Sequence, residues 1–171
     1  MSLQLYTLGH SAHPLAKFLS LLDQYGIRTL ADVRSVPASR FHPQFNRASL
    51  ERSLTEHGLR YVFAGQALGG RPSDPTVYPD GRLPVKGQSN PPRPDYAEMM
   101  KRNWFIQGIE HLLQLAADAE QPTAILCSEE DPAHCHREHL IAAYLRKYHS
   151  GTEILHIRGN GVLQRSENPL L

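Results

Sequence analysis

The sequence predicts an α/β fold, a mostly parallel central sheet of about five strands flanked by helices, and three observations carry that expectation. Short apolar runs alternate along the chain with stretches of helical periodicity. The opening reads as strand, helix, strand, a unit that favours parallel pairing. The length of 171 residues suits one core that buries roughly two-thirds of the unfolded surface, so residues 1–171 are expected to form a single domain.

Leu3, Leu5 and Leu8 make the first strand, which ends in Gly9-His10-Ser11. Leu15, Phe18, Leu19, Leu22 and Tyr25 then recur at helical spacing, Gly26 is placed to stop the helix, and Thr29 to Val33 form the second strand. Asn46 or Ser49 can cap a helix through Leu50 and Leu54 that ends near Gly58, and Leu59 to Phe63 supply the third strand. Residues 64–94 hold seven prolines and five glycines without periodicity and are expected to run as an irregular loop, either a lid or a mobile insertion. Asp95 then caps a long helix whose stripe is Phe105, Ile109, Leu112, Leu113 and Ala116, with a bend near Asn103. Thr123 to Cys127 read as a buried strand by their continuous apolar character. Pro132 opens another helix with Leu140, Ile141, Tyr144, Leu145 and Tyr148 on its core face, and Glu153 to Ile157 form the last strand before a polar tail.

Composition narrows the function classes. With 40% hydrophobic and 20% charged residues, and no run of about 18 apolar residues, no membrane partner is expected. Met1 to Tyr6 lack the basic start and cleavage site of a secretory signal, and Cys127 and Cys135 make no disulfide framework, so the expected location is cytoplasmic. The net charge of +1 conceals an asymmetry, since residues 28–94 hold ten basic against five acidic side chains and residues 95–171 hold seven against eleven. That imbalance is small for a nucleic-acid groove but sufficient for a small anionic ligand.

Ligands of parallel α/β sheets bind just beyond the carboxyl ends of the strands. The first strand runs into His10 and Ser11, the second into Asp32, Arg34, Ser35 and Arg40, the fourth into Cys127, Ser128 and Glu129, and the fifth into His156 and Arg158. The densest cluster is 127–137. If its helix begins at Pro132 or Ala133, then Cys135, His136 and Arg137 occupy the first turn, where unpaired N–H groups and the helix dipole stabilise a thiolate. Cys135 is then a candidate nucleophile with His136 or His10 as proton carrier, against the plainer reading of a small buried residue. A Cys-x5-Arg phosphatase loop is excluded, because Ala133 and Ile141 stand six residues beyond the two cysteines. Cys127, His134, Cys135, His136 and His10 are of ligand types that zinc accepts, but no Cys-x2-Cys or His-x3-His pair is present and adjacent helical side chains diverge, so no metal is expected. A redox pair of the two thiols requires the intervening loop to fold back. Asp32 and Arg34 share one face of a strand and either pair with each other or present Arg34, with Arg40, to a phosphate or carboxylate. Gly69 and Gly70 are read as a backbone turn that supports the site.

These residues together resemble the family called domain of unknown function 488. The likeness is carried by Thr7-Leu8-Gly9-His10-Ser11, by Asp32-Val33-Arg34-Ser35-Val36-Pro37-Ala38-Ser39-Arg40 with Phe45-Asn46, by Leu68-Gly69-Gly70, by Cys127-Ser128-Glu129 with Cys135-His136-Arg137, and by His156-Ile157. Ser128 is a minor departure from the alanine more usual there. The resemblance implies a compact α/β fold and a polar site, without an activity or cofactor. The residues themselves suggest an enzyme for a phosphorylated or otherwise anionic substrate, a nucleotide or nucleic-acid end included. His10, Cys127, Glu129, Cys135 and His136 would do the chemistry. Ser11, Asp32, Arg34, Ser35, Arg40, Gly69, Gly70, Arg137 and His156 would bind. The alternatives are a non-catalytic nucleic-acid or nucleotide binding module and a Cys/His metalloprotein.

Overall fold

A computed structural model of the chain describes residues 2–167. Its six strands are β1 (Leu3–Gly9), β2 (Thr29–Asp32), β3 (Arg60–Phe63), β4 (Thr123–Cys127), β5 (Thr152–Ile157) and β6 (Leu163–Arg165), in the order β3-β2-β4-β1-β5-β6. The first five are mutually parallel, and β6 returns antiparallel against β5. The expected α/β architecture is therefore present with one strand more than anticipated. β6 falls within the stretch read as a polar tail, the rest of which, residues 168–171, lies outside the described residues.

Helices cover both faces. α1 (Leu15–Gln24) and α2 (Arg47–Glu56) close one face over Leu8, Leu30, Ala124, Leu126 and Ile157. The other face packs Leu5, Ala31, Val33, Ile125 and Ile154 beneath the remaining helices. These are α3 (Gly65–Leu68), α4 (Tyr96–Met99), α5 (Asn103–Ala116) and α6 (Ala143–Tyr148), the last entered through a wide π-helical turn over Arg137–Ala142. Apolar side chains alternate between the two cores because successive strand residues point to opposite faces. Among the described residues no helix is long and apolar enough to cross a membrane.

Local chemistry explains the departures from the sequence reading. Asp95 caps a helix as expected, accepting from the N–H of Ala97 and Glu98. That helix is a single turn, however, and α5 starts afresh at Asn103, so the anticipated bend is a break. The 64–94 excursion is pinned in two places. α3 packs against α5, and a 3-10 turn at Pro75–Val77 buries Val77 and Tyr78 in the core, where the Tyr78 hydroxyl donates to the Pro72 carbonyl at 2.9 Å. Tyr148, expected in the core, is 55% exposed. It ends α6 with one side against Tyr144 and the Lys147 ammonium over its ring.

His156 lies inside β5 opposite Thr7, within a sealed relay. Thr7 Oγ1 meets its Nδ1 at 2.7 Å, and its Nε2–H donates to Glu138 Oε2 at 2.9 Å. Arg146 and Ser166 donate to the same carboxylate. Burial alone would raise the pKa of Glu138, but the hydrogen bonds from His156, Ser166 and Arg146 outweigh it and hold the carboxyl at about 2. A depressed carboxyl pKa contributes stability above the unfolded value of about 4.3, and that contribution is lost as pH falls through the folded value. Glu138→Gln should therefore cost about 2–3 kcal/mol at pH 7 and flatten the decline in stability between pH 5 and 2. Urea denaturation of both proteins across that range checks it, and an unchanged acid slope would remove Glu138 from the account.

Candidate functional site

Cys127 is the last residue of β4, between β1 and β2 on the carboxyl edge of the sheet. The chain beyond it folds back on itself. Asp131 accepts from Ala133 N–H at 3.0 Å and caps a 3-10 turn at Pro132–His134, after which Cys135 is extended, with φ −130° and ψ 146°. The helix therefore starts at Arg137 instead of Pro132, because the proline turn closes on Asp131 and the backbone re-extends before winding again. His136 takes the cap position of that helix, preceded by Cys135. The Cys135 carbonyl accepts from Glu138 and His139, and its Sγ accepts from Arg137 N–H at 3.5 Å. The divergence of neighbouring helical side chains thus does not apply, and Cys135 and His136 face a common point.

That point is occupied by sulfur. The Cys135 thiol donates to Cys127 Sγ at 2.8 Å, and both are free cysteines, 4% and 6% exposed respectively. His136 Nδ1 lies 3.6 Å from Cys127 Sγ and 3.8 Å from Cys135 Sγ, while its Nε2–H donates to the Val33 carbonyl at 3.1 Å. These bonds fix the ring and turn Nδ1 toward the sulfurs. Arg137 is fully buried, its Nη1 and Nη2 donating to the carbonyls of Glu129 and Glu130 at 2.6 and 2.5 Å, and its Nε–H has no partner. Among the described residues it forms no salt bridge with a carboxylate; the carboxylate of Glu130 is engaged by Arg158 instead. A buried cation needs a nearby anion, and the thiols beside it can supply one. The hydrogen bond from Cys135 lowers the Cys127 pKa below the usual thiol range against the opposing effect of burial, with help from His136 and Arg137. The same bond, with burial, pushes the Cys135 thiol up. The shared hydrogen bond therefore favours a single negative charge on the pair, on the Cys127 side. Cys127 Sγ, Cys135 Sγ and His136 Nδ1 lie within 4.8 Å of one another and are donors of the kind a soft cation accepts.

A second polar group sits at the same edge on the opposite face. Asp32 and Arg34 share the pleat with Leu30 and form a bidentate pair, Nε to Oδ1 at 2.9 Å and Nη2 to Oδ2 at 2.6 Å, completed by the Tyr61 hydroxyl on Oδ2 and by the Phe45 carbonyl on Nη2. His10 stacks on Phe45 at 4.5 Å between centroids and donates from Nδ1 to the Ser11 carbonyl. Burial lowers its pKa, and its Nε2 is buried without a partner. Ser11 holds that carbonyl in place with a φ of 45°, the one positive φ among the described non-glycine residues. Strain of this kind tends to collect at functional positions.

The remaining residues sort by contact. Ser35 Oγ accepts from Arg71 N–H at 2.8 Å. Gly69 packs on Ser35 and Gly70 on the His136 ring so closely that a Cβ would meet atoms 2.3 and 2.9 Å away, and neither has a positive φ. They are needed for space, not for a turn. Arg40 is exposed with its guanidinium 4.8 Å above the Phe41 ring. The Glu129 side chain is exposed, and only its carbonyl joins the site, at Arg137. The structure thus brings together Cys127, Cys135, His136, Arg137 and Gly70, gathers His10, Asp32 and Arg34 separately, and commits His156 to its own relay.

Sequence reasoning missed Tyr96. Burial first and then the charge of the two thiols raise its pKa, while Arg93 and Arg71 lower it. Its only sequence signal was the position next to the Asp95 cap. Two open clefts, of about 520 Å³ beside Glu130 and Arg158 and of about 890 Å³ along residues 80–92, are not lined by either cysteine.

Residues 14–145 match the family model described as Domain of unknown function DUF488, a span that holds the thiol cluster and the Asp32–Arg34 pair but begins after His10 and ends before His156. No curated protein and no solved structure matches the chain.

Proposed function

The chain belongs to the DUF488 family, and on that premise we propose that it is an enzyme acting on a small anionic substrate with Cys127 as nucleophile. The observation that carries the reading is the Cys127 sulfur itself, hydrogen-bonded by Cys135, faced by His136 and set beside a buried guanidinium that has no carboxylate partner among the described residues. A thiolate maintained at neutral pH in this way is the form that attacks. Arg34 and Arg137 are spent on protein acceptors, so the substrate's charge falls to the exposed Arg71 and Arg93, whose charges are felt at Tyr96 together with those of the two thiols. The basic excess of residues 28–94 favours approach of an anion.

The test is a turnover screen of phosphorylated and carboxylated metabolites on protein purified without an affinity tag. Cys127→Ser should lower kcat/KM by about a hundredfold or more with the circular dichroism spectrum unchanged. Undiminished turnover in that variant would overturn the assignment. A metal recovered at one equivalent per chain would also count against a free nucleophile. Oligonucleotide binding that weakens steeply with salt, without turnover, would favour a binding module instead.

A further inference from the structure

We propose that the Cys127–Cys135 pair reduces hydroperoxides, Cys127 attacking the peroxide and Cys135 closing a disulfide with it. The inference rests on the nucleophile reading of Cys127 but not on the charge of its substrate. Three features point to it.

First, a nucleophile needs one sulfur, yet here a second sulfur, eight residues on, lies in direct contact at 2.8 Å with its proton directed at the first. A resolving thiol must reach its partner, and this one does so without any segment moving. Second, both sulfurs are buried, which excludes bulky disulfides and leaves a substrate of a few atoms. Third, Arg137, whose backbone N–H donates to Cys135 Sγ, has a buried Nε–H that finds no acceptor among the described residues, and a peroxide oxygen is an acceptor of the kind it lacks.

The chemistry balances in two steps. The Cys127 thiolate attacks the terminal oxygen of the hydroperoxide. An S–O bond forms, the O–O bond breaks, sulfur gives up two electrons, and the departing hydroxide or alkoxide takes a proton from solvent to leave as water or the alcohol. The Cys135 sulfur then displaces the sulfenic oxygen, which departs as water with the Cys135 proton, and an S–S bond forms. Two electrons from an external thiol reductant restore the pair.

The experiment mixes reduced, metal-free, full-length protein with one equivalent of hydrogen peroxide or of ethyl hydroperoxide, as separate arms. The wild type should lose both free thiols, yield a linked Cys127–Cys135 peptide, recover with dithiothreitol, and consume several equivalents of peroxide when dithiothreitol is in excess. Cys135→Ser should stop at a sulfenic acid on Cys127 that dimedone traps, and Cys127→Ser should leave Cys135 unoxidised over the same interval. Since any two thiols oxidise eventually, the native protein must react about tenfold faster or more than the same chain in urea; equal rates overturn the proposal. If iodoacetamide modifies Cys127 at pH 5 but peroxide gives no linkage, this inference falls while the nucleophile stands. If Cys127 resists both reagents, both readings fall.

Discussion

Asp32→Ala should destabilise the fold by about 3–5 kcal/mol, measured by urea denaturation at pH 7, the usual cost of removing one partner from a buried ion pair. The carboxylate is wholly buried and takes four hydrogen bonds, from Arg34 Nε, Nη2 and backbone N–H and from the Tyr61 hydroxyl. Alanine would leave a guanidinium buried with the Phe45 carbonyl as its remaining acceptor, together with an unpaired phenol. Because the penalty comes from the orphaned charge, replacing both partners as Asp32→Leu with Arg34→Met should cost markedly less than Asp32→Ala alone. A loss below about 1 kcal/mol for the single variant would mean that the pair behaves as a solvated surface bridge, contrary to its burial.

Alkylation of Cys127 by iodoacetamide, followed by mass spectrometry, should proceed at a rate that barely changes between pH 5 and 8. An ordinary thiol with a pKa near 8.5 would accelerate by about a thousandfold over that interval. The sign follows from the direction of the shift. A pKa lowered below the window keeps Cys127 ionised throughout it, so raising pH adds no nucleophile. Absolute rates will be modest, because burial slows access and a low-pKa thiolate is a weaker attacker, but the shape of the profile is independent of both. Cys135→Ala, which removes the donor, and His136→Ala should each restore part of the slope. A steep rise in the wild type would place the proton on Cys127 and remove the basis for its reactivity.

Much of the fold was legible because each buried strand is a short apolar run, as in Thr123 to Cys127, set between helical periodicities. The carboxyl-edge rule located Cys127, Asp32 and His10 correctly at one end of the sheet. Their distribution over two faces was not legible, since it depends on strand register and pleat, which pairing decides. The conformation of Cys135 was hidden for a similar reason. Pro132 announces a helical turn, but the break after it is held by tertiary contacts, Cys135 against Cys127 and His136 against Val33, that no local signal encodes. β6 escaped notice because three residues are too few for alternation to register; it exists by pairing with β5. Gly69 and Gly70 were read through backbone freedom, when what mattered was the bulk a side chain would add against Ser35 and His136.

The loose coil that carries Arg137 into α6 makes the cation's aim a matter of counting. Such a segment holds one residue more per turn than an ordinary helix. Excising any single residue from 138–142 would let it tighten and swing the guanidinium about 100° around the axis, away from the carbonyls of Glu129 and Glu130. A one-codon deletion there is therefore a harsher perturbation than a single side-chain change, even among its buried residues.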